Sequence, residues 1–395
     1  MNFSYAEREK YLVPSEIRKY AQLSASTGCI SFAGGSPAPE TFPVQELGEA
    51  TYRVLSKYGT KVLGYGDTEG LDKLKEQIVL RLKEGGVDNI AIEQILITNG
   101  SQQGLDFCGK LFLDQDDVVI CEDPSYLGAI NAFRVYGCRF VSVAMDDDGM
   151  IMEDLEKALK ENPRVRFIYT IPDFHNPTAR RMSQIRRKKL LELAYQYNIP
   201  IIEDNPYGDL YYDGRYEWPI KHYDRENAVI YMGTCSKTFC PGLRIGWIVA
   251  SQEVIDRFAI IKQSADIHTS LLAQYQLAEY MESFNWIDHV EEIRNIYKEK
   301  RNIMMNAIRT YFPENIKYVY PQGGLFTWID LPDYLNAEDI LMEALNNGVA
   351  FVTGSPFYVN GGHHNYFRLS FGMMTGEVIE EGIKRLGDTL KLFCE

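Results

Sequence analysis

A lysine, two hydroxyl side chains and an arginine share one short loop of this chain. The stretch YMGTCSKTFCPGLRIGWIVAS, residues 231–251, joins two apolar runs, Val229–Met232 and Ile245–Ala250. Both are rich in strand formers. Gly233 ends the first run, and Pro241 and Gly242 mark a turn before the second. The loop between the two strands carries Thr234, Ser236, Lys237 and Arg244. A desolvated lysine loses its charge and becomes a nucleophilic amine suited to a Schiff base. Neighbouring hydroxyls and an arginine suit a phosphate. A lysine in a polar turn is most often simply solvated, so this loop acquires meaning from what accompanies it.

The apparent strand ends supply the rest. Asp204 closes the apolar run IPIIED, where an acid has few other reasons to sit. Asn176 follows VRFIYTIPDFH, Tyr207 follows Asp204, and Tyr126 follows DVVICEDPS. ILITNG runs into the helix-like SQQGLDFCGKLFL, so Ser101 and Gln102 stand where free backbone N–H groups form an anion site. Lysine with phosphate donors points to pyridoxal phosphate (PLP). Its aldehyde needs the amine, its ring nitrogen a carboxylate and its ring oxygen donors, and its ring takes a stacked aromatic.

The elements must bring these residues to one edge. From residue 94 the chain alternates strand, loop and helix, with strands at 94–100, 117–126, 139–146, 165–178 and 199–210. This predicts an α/β fold with a mostly parallel sheet covered by helices on both faces. Ligands of such sheets gather beyond the carboxyl ends of the strands. After residue 251, helical stretches at 252–264 and 270–310 lead to the strands KYVYPQGGLFTWIDL and YFRLSFG, an α+β tail. The expected division is an N-terminal arm and lid helix over 1–45, a large domain over 46–275 and a small C-terminal domain over 276–395. Ser15 is the expected cap of the lid helix.

With 395 residues the chain is long enough for two domains, and a net charge of −14 disfavours nucleic acid as a general partner. No apolar run approaches the roughly 18–20 residues of a membrane span. The charged N-terminus lacks the apolar core of a secretion signal. The seven cysteines are scattered singly and supply no set of metal ligands. A cytoplasmic protein without a metal or membrane partner is expected.

Ten segments in order make the chain resemble a class I/II aminotransferase of PLP fold type I, with a seven-stranded, mostly parallel sheet. More narrowly, it is similar to the branch containing 2-aminoadipate and kynurenine aminotransferases. The segments are SEIRKY, ISFAGGSPAPETFP, LGYGDTEG, ITNGSQQGLD, EDPSY, HNPT, EDNPYGDL, GTCSKTFCPGLRIGW, QGGLFTW and FRLSFG, spanning residues 15–372. The resemblance implies that Lys237 forms the Schiff base and then moves a proton at the substrate Cα. Asp204 pairs with the ring nitrogen, Asn176 and Tyr207 hold the ring oxygen, and Tyr126 stacks. Ser101, Gln102, Ser236 and Arg244 hold the phosphate, with Thr234 beside them. Tyr65 reaches the phosphate of the neighbouring subunit of a homodimer. Arg368 clamps the α-carboxylate, with Asn176 and the Gly34–Gly35 backbone nearby. Arg18, on the lid helix, is placed to read a distal carboxylate, as in glutamate or 2-aminoadipate.

Two positions depart from the family pattern. Ala179 stands where glycine is usual, and His175 where glutamine is common. His175 is expected to pack. The chain also starts at the catalytic arm, without the DNA-binding domain that some relatives carry.

The expected activity is transfer of an amino group between an L-amino acid of the 2-aminoadipate, glutamate, aromatic or branched-chain type and a 2-oxo acid such as 2-oxoglutarate. Another PLP reaction on the same scaffold, a carbon–sulfur lyase or decarboxylase, shares every cofactor residue and differs only in products. A non-catalytic amino-acid sensor would bind PLP without turnover. A nucleotide site at 98–104 is disfavoured, since TNGSQQG is neither G-x-G-x-x-G nor a P-loop.

Overall fold

A computed structural model describes residues 3–14, 16 and 28–394. The expected lid helix, with Ser15 and Arg18, lies outside the described residues. The strands, in chain order, are β1 (Ile30–Ser31), β2 (Ile95–Thr98), β3 (Val118–Asp123), β4 (Arg139–Asp146), β5 (Gly149–Met150), β6 (Val165–Thr170) and β7 (Ile201–Asp204). They continue with β8 (Val229–Thr234), β9 (Gly246–Val249), β10 (Lys317–Tyr318), β11 (Phe326–Asp330), β12 (Val349–Ala350), β13 (Val352–Thr353) and β14 (Tyr366–Ser370).

The large sheet has the order β2-β9-β8-β7-β6-β3-β4-β5. It holds the seven expected strands plus the two-residue β5, which folds back antiparallel on β4. Strands β2, β7, β8 and β9 are buried at every position, which is why each opens as an apolar run even where it ends in a polar residue. Strands β8, β7, β6, β3 and β4 are mutually parallel, whereas β9 runs antiparallel to both of its neighbours. The carboxyl ends of β2 and β8 therefore share an edge with the amino end of β9. That inversion puts Arg244, two residues before β9, beside the ends of the parallel strands.

Helix boundaries follow local chemistry. The helix Gln184–Tyr197 starts where the Ser183 side chain accepts from Arg186 N, and stops at Asn198 in a left-handed conformation. The expected helical stretch 270–310 is two helices, Leu271–Ser283 and Trp286–Tyr311. The Asn285 side chain accepts from the N–H groups of Ile287 and Asp288 and so begins the second.

A second sheet has the order β10-β11-β14-β13 and is wholly antiparallel. The N-terminal segment is tied to this part of the molecule: β1 pairs in parallel with β12, Phe32 N donates to Ala350 O at 2.8 Å, and Ser370 N donates to Phe32 O at 2.9 Å. Phe32 and Ala38 join an apolar cluster with Met304, Ile340, Phe367 and Leu386. The strap that follows β1 is thereby held against β14. Among the described residues no helix is long and apolar enough to cross a membrane.

The junction of β9 with the helix Ser101–Phe112 tolerates no side chain at position 246. A Cβ on Gly246 would lie 2.7 Å from Gly100 C and Ser101 N, both backbone atoms. Gly246→Ala is therefore expected to cost about 1–3 kcal/mol of stability, measured by denaturant unfolding of the apoprotein.

Candidate active site

The carboxyl edge of the large sheet, the strap after β1 and strand β14 enclose a cleft of about 400 Å³. Lys237 stands three residues beyond β8, Asp204 ends β7, Tyr126 follows β3, and Asn176 lies on the loop after β6. All four line the cleft, with Gly35, Ser101, Gln102, Tyr207, Thr234, Ser236, Arg244 and Arg368. Size does not locate the chemistry, since a wider groove of about 780 Å³ runs past Asp123, Arg180 and Trp328 without a lysine–carboxylate pair of this kind.

Asp204 is 2 % exposed, and its Oδ2 accepts from the Tyr169 hydroxyl at 3.0 Å. Its Oδ1 is buried with no hydrogen-bond partner. Burial pushes the Asp204 carboxyl up to about 7, against the opposing effects of Tyr169 and Lys237. Lys237 Nζ donates to Gly35 O at 2.8 Å and lies 6.0 Å from the centre of the Tyr207 ring. Desolvation in the cleft, then the positive charges of Arg368 and Arg244, pull its amine down to about 8.

Arg368 is 1 % exposed. Nη1 donates to Asn176 Oδ1 at 2.7 Å and Nη2 to Ala33 O at 2.6 Å, while Nε has no partner. Its guanidinium lies 4.2 Å from the Phe326 ring centre and 5.3 Å from that of Phe357. Two aromatic rings thus orient a planar cation whose remaining donors are available to a carboxylate. Burial holds Arg368 down at about 10. Fully buried Arg187 forks onto Asp173, on the same loop as Asn176, with Nη1–Oδ2 at 2.9 Å and Nη2–Oδ1 at 2.7 Å.

The opposite end of the cleft is rich in donors. Ser101 opens its helix, with Gly100 at φ +74° before it. Arg244 donates to Asn99 O and Pro241 O, each at 3.2 Å, and its guanidinium occupies the space a Cβ on Gly100 would fill. The Thr234 hydroxyl donates to Ser236 Oγ at 2.9 Å and receives Ser236 N at 3.1 Å. Gln102 Nε2 donates to Gly128 O at 2.9 Å. The Tyr126 ring lies against Gly128, where a Cβ would come within 2.5 Å of it.

Two assigned residues fall elsewhere. Tyr65 is not among the cleft residues of its own chain; it is 85 % exposed, with its ring edge-on to His268 at 5.8 Å. Arg18 is outside the described residues. His175 is buried, with Nδ1 2.9 Å from Thr178 Oγ1 and Nε2 3.2 Å from Glu122 Oε2, and it does not line the cleft. Ala179 adopts φ +59°, the left-handed region that favours glycine and accounts for the family's usual residue there. Sequence reasoning missed Tyr169, Phe326 and Phe357. Phe326 lies in the quoted QGGLFTW segment, but Tyr169 and Phe357 sit in ordinary apolar pattern and give no signal.

The chemistry of this donor set fits PLP. The unpartnered Asp204 Oδ1 suits a protonated ring nitrogen, the donor-rich end suits a phosphate, and the Lys237 amine lies between it and the Arg368 fork.

The family model described as aminotransferase class I and II matches residues 28–386. The aromatic-amino-acid aminotransferase 1 of Thermococcus litoralis is 41 % identical over 98 % of this chain and 94 % of its own length. A Pyrococcus horikoshii kynurenine aminotransferase crystal structure, in complex with PMP, superposes with a TM-score of 0.95 at 39 % identity, covering 99 % of this chain and 98 % of that one. The α-aminoadipate aminotransferase of Thermus thermophilus, complexed with N-(5'-phosphopyridoxyl)-L-leucine, superposes with a TM-score of 0.92 at 38 % identity, covering 99 % and 98 %.

The raised Asp204 carboxyl has a consequence for the apoprotein. Its folded pKa of about 7 lies above the ordinary value of 3.8, so the native state binds the extra proton between those pH values and stability falls as pH rises through them. Asp204→Asn keeps the acceptor for Tyr169 and removes the buried charge. The apoprotein Tm should rise by roughly 1–3 °C at pH 8 and change little at pH 5, as scanning calorimetry would read.

Proposed function

The chain belongs to the class I and II aminotransferase family, and we propose that its amino donor is an L-amino acid of the 2-aminoadipate, glutamate, aromatic or branched-chain type and its acceptor a 2-oxo acid such as 2-oxoglutarate. It is a PLP-dependent aminotransferase. When bound, PLP supplies the aldehyde that takes up the amino group and a ring that accepts the electrons released at the substrate Cα. The observation that carries the residue roles is the meeting of the Lys237 amine with a buried, half-partnered Asp204 in one cleft.

Lys237 would hold the cofactor aldehyde, and its amine would take the Cα proton of the substrate. An amine pulled down to about 8 is unprotonated in roughly a tenth of molecules at pH 7, far more than an ordinary lysine, as a base requires. Asp204 would keep the ring nitrogen protonated, Asn176 and Tyr207 would hold the ring oxygen, and Tyr126 would cover the ring. Ser101, Gln102, Thr234, Ser236 and Arg244 hold the phosphate. Arg368 receives the substrate α-carboxylate while its Nη2 grips Ala33 O, so Gly35 and the strap close beside the substrate. Arg18 reads a distal carboxylate; this rests on sequence resemblance alone.

We assign a homodimer with shared sites. Tyr65 is exposed, as are Tyr52, Leu55 and Leu63 earlier in the same segment, and a second copy would receive Tyr65 at its phosphate end. Seven free cysteines accord with a cytoplasmic location.

Lys237→Ala should lose essentially all turnover and the visible absorbance shift of PLP on adding amino acid; normal activity would overturn the role. Arg368→Lys should raise KM for every amino donor by roughly 10²-fold, because an ammonium lacks the guanidinium fork. Arg18→Ala should weaken glutamate and 2-aminoadipate more than aromatic donors in steady-state kinetics, and equal losses would remove the distal-carboxylate reading.

A further inference from the structure

Behind the loop that carries Lys237 lies a recess of about 410 Å³ with a narrow throat of about 40 Å³. Its volume falls within the ~300–1,000 Å³ usual for small-molecule clefts. Four aromatic residues line both parts: Tyr216, Tyr231, Trp247 and Trp286. Trp247 and Trp286 are 9 % and 7 % exposed, and neither indole Nε1 has a hydrogen-bond partner. Leaving a buried donor unmade costs about 1–3 kcal/mol, so two such indoles around one hollow call for an acceptor.

The charges of the recess say which kind. Arg81 Nη2 donates to Asp209 Oδ2 at 2.6 Å, and its guanidinium lies 4.5 Å from the Trp286 ring centre. Arg294 lies 4.1 Å from the Tyr211 ring centre and donates only its Nε, to the backbone carbonyl of Asp209 at 2.6 Å. No carboxylate pairs with Arg294 among the described residues. Indole N–H groups donate and never accept. Glu84 and Asp209 also line the recess. An oxyanion accepts from a guanidinium and from indole N–H groups alike, and the aromatic walls suit a flat apolar body.

We propose that this recess is a second ligand site, for a small aromatic monocarboxylate, with Arg294 receiving the carboxylate. It is separate from the cleft that holds Lys237 and shares only Thr234 and Pro206 with that cleft's lining. The throat is bounded by Thr234 and Thr238, on either side of Lys237 in the chain. Trp247 leans on Gly233, where a Cβ would come within 2.3 Å of the indole. An occupant therefore bears on the back of the lysine loop.

The test is a calorimetric titration of the PLP-loaded enzyme with indole-3-propionate, which has neither an amino nor a 2-oxo group to exchange. Two sites per chain are expected. Arg368→Ala should remove the one in the active-site cleft and leave the other. Arg294→Ala should weaken the recess site about tenfold or more. Tyr216→Phe, which removes only a hydroxyl, should weaken it severalfold and serves if Arg294→Ala does not fold. A single site lost in Arg368→Ala would overturn the proposal. So would a second site indifferent to both recess variants, or crystals grown with the probe that hold ordered water only in the recess.

Discussion

The structure depends on keeping three ionisable groups, Asp204, Lys237 and Arg368, in one water-poor cleft without letting them neutralise one another. Desolvation acts on each in the expected sense, raising the acid and lowering both bases. Direct pairing would relieve that cost but would consume the groups the reaction needs. The fold instead gives each a partial partner. Asp204 has the Tyr169 hydroxyl on one oxygen, Lys237 has a backbone carbonyl, and Arg368 has Asn176, a carbonyl and two ring faces. Each keeps capacity for a ligand, and the site is correspondingly a place of stored instability.

Two devices hold these groups in place. One is the reversed strand β9, whose amino end carries Arg244 to the edge where the parallel strands end. The other is the strap after β1. Its pairing with β12 and its bond to Ser370 fix carbonyls that both Lys237 and Arg368 reach. The second sheet is thereby linked through the strap to the lysine loop of the first, so substrate held by Arg368 acts on the position of both.

Much of this was legible in the chain. The apolar runs that open β2, β3, β7 and β8 could be read directly, and the polar residues at and just beyond the strand ends marked the ligand edge. The sequence pattern could not resolve the break at Asn285, because a capping asparagine between two amphipathic helices looks like part of one. Nor could it find Tyr169: a tyrosine in a buried strand reads as core until its hydroxyl is seen on Asp204. The recess lined by Trp247 and Trp286 was invisible for the same reason, since its walls come from β8, β9, a loop and two helices far apart in the chain.

The sequence by itself determined the chemistry available and the edge at which it would gather. Residue types, and their positions relative to apolar runs, are local properties that survive in one dimension. Tertiary structure alone decided which donors were left without partners, how far burial moved Asp204 and Lys237, and which aromatic rings flank Arg368. Those are properties of neighbours, and neighbours in this fold come from segments far apart in the chain, as the bond from Arg368 to Ala33, 335 residues away, records.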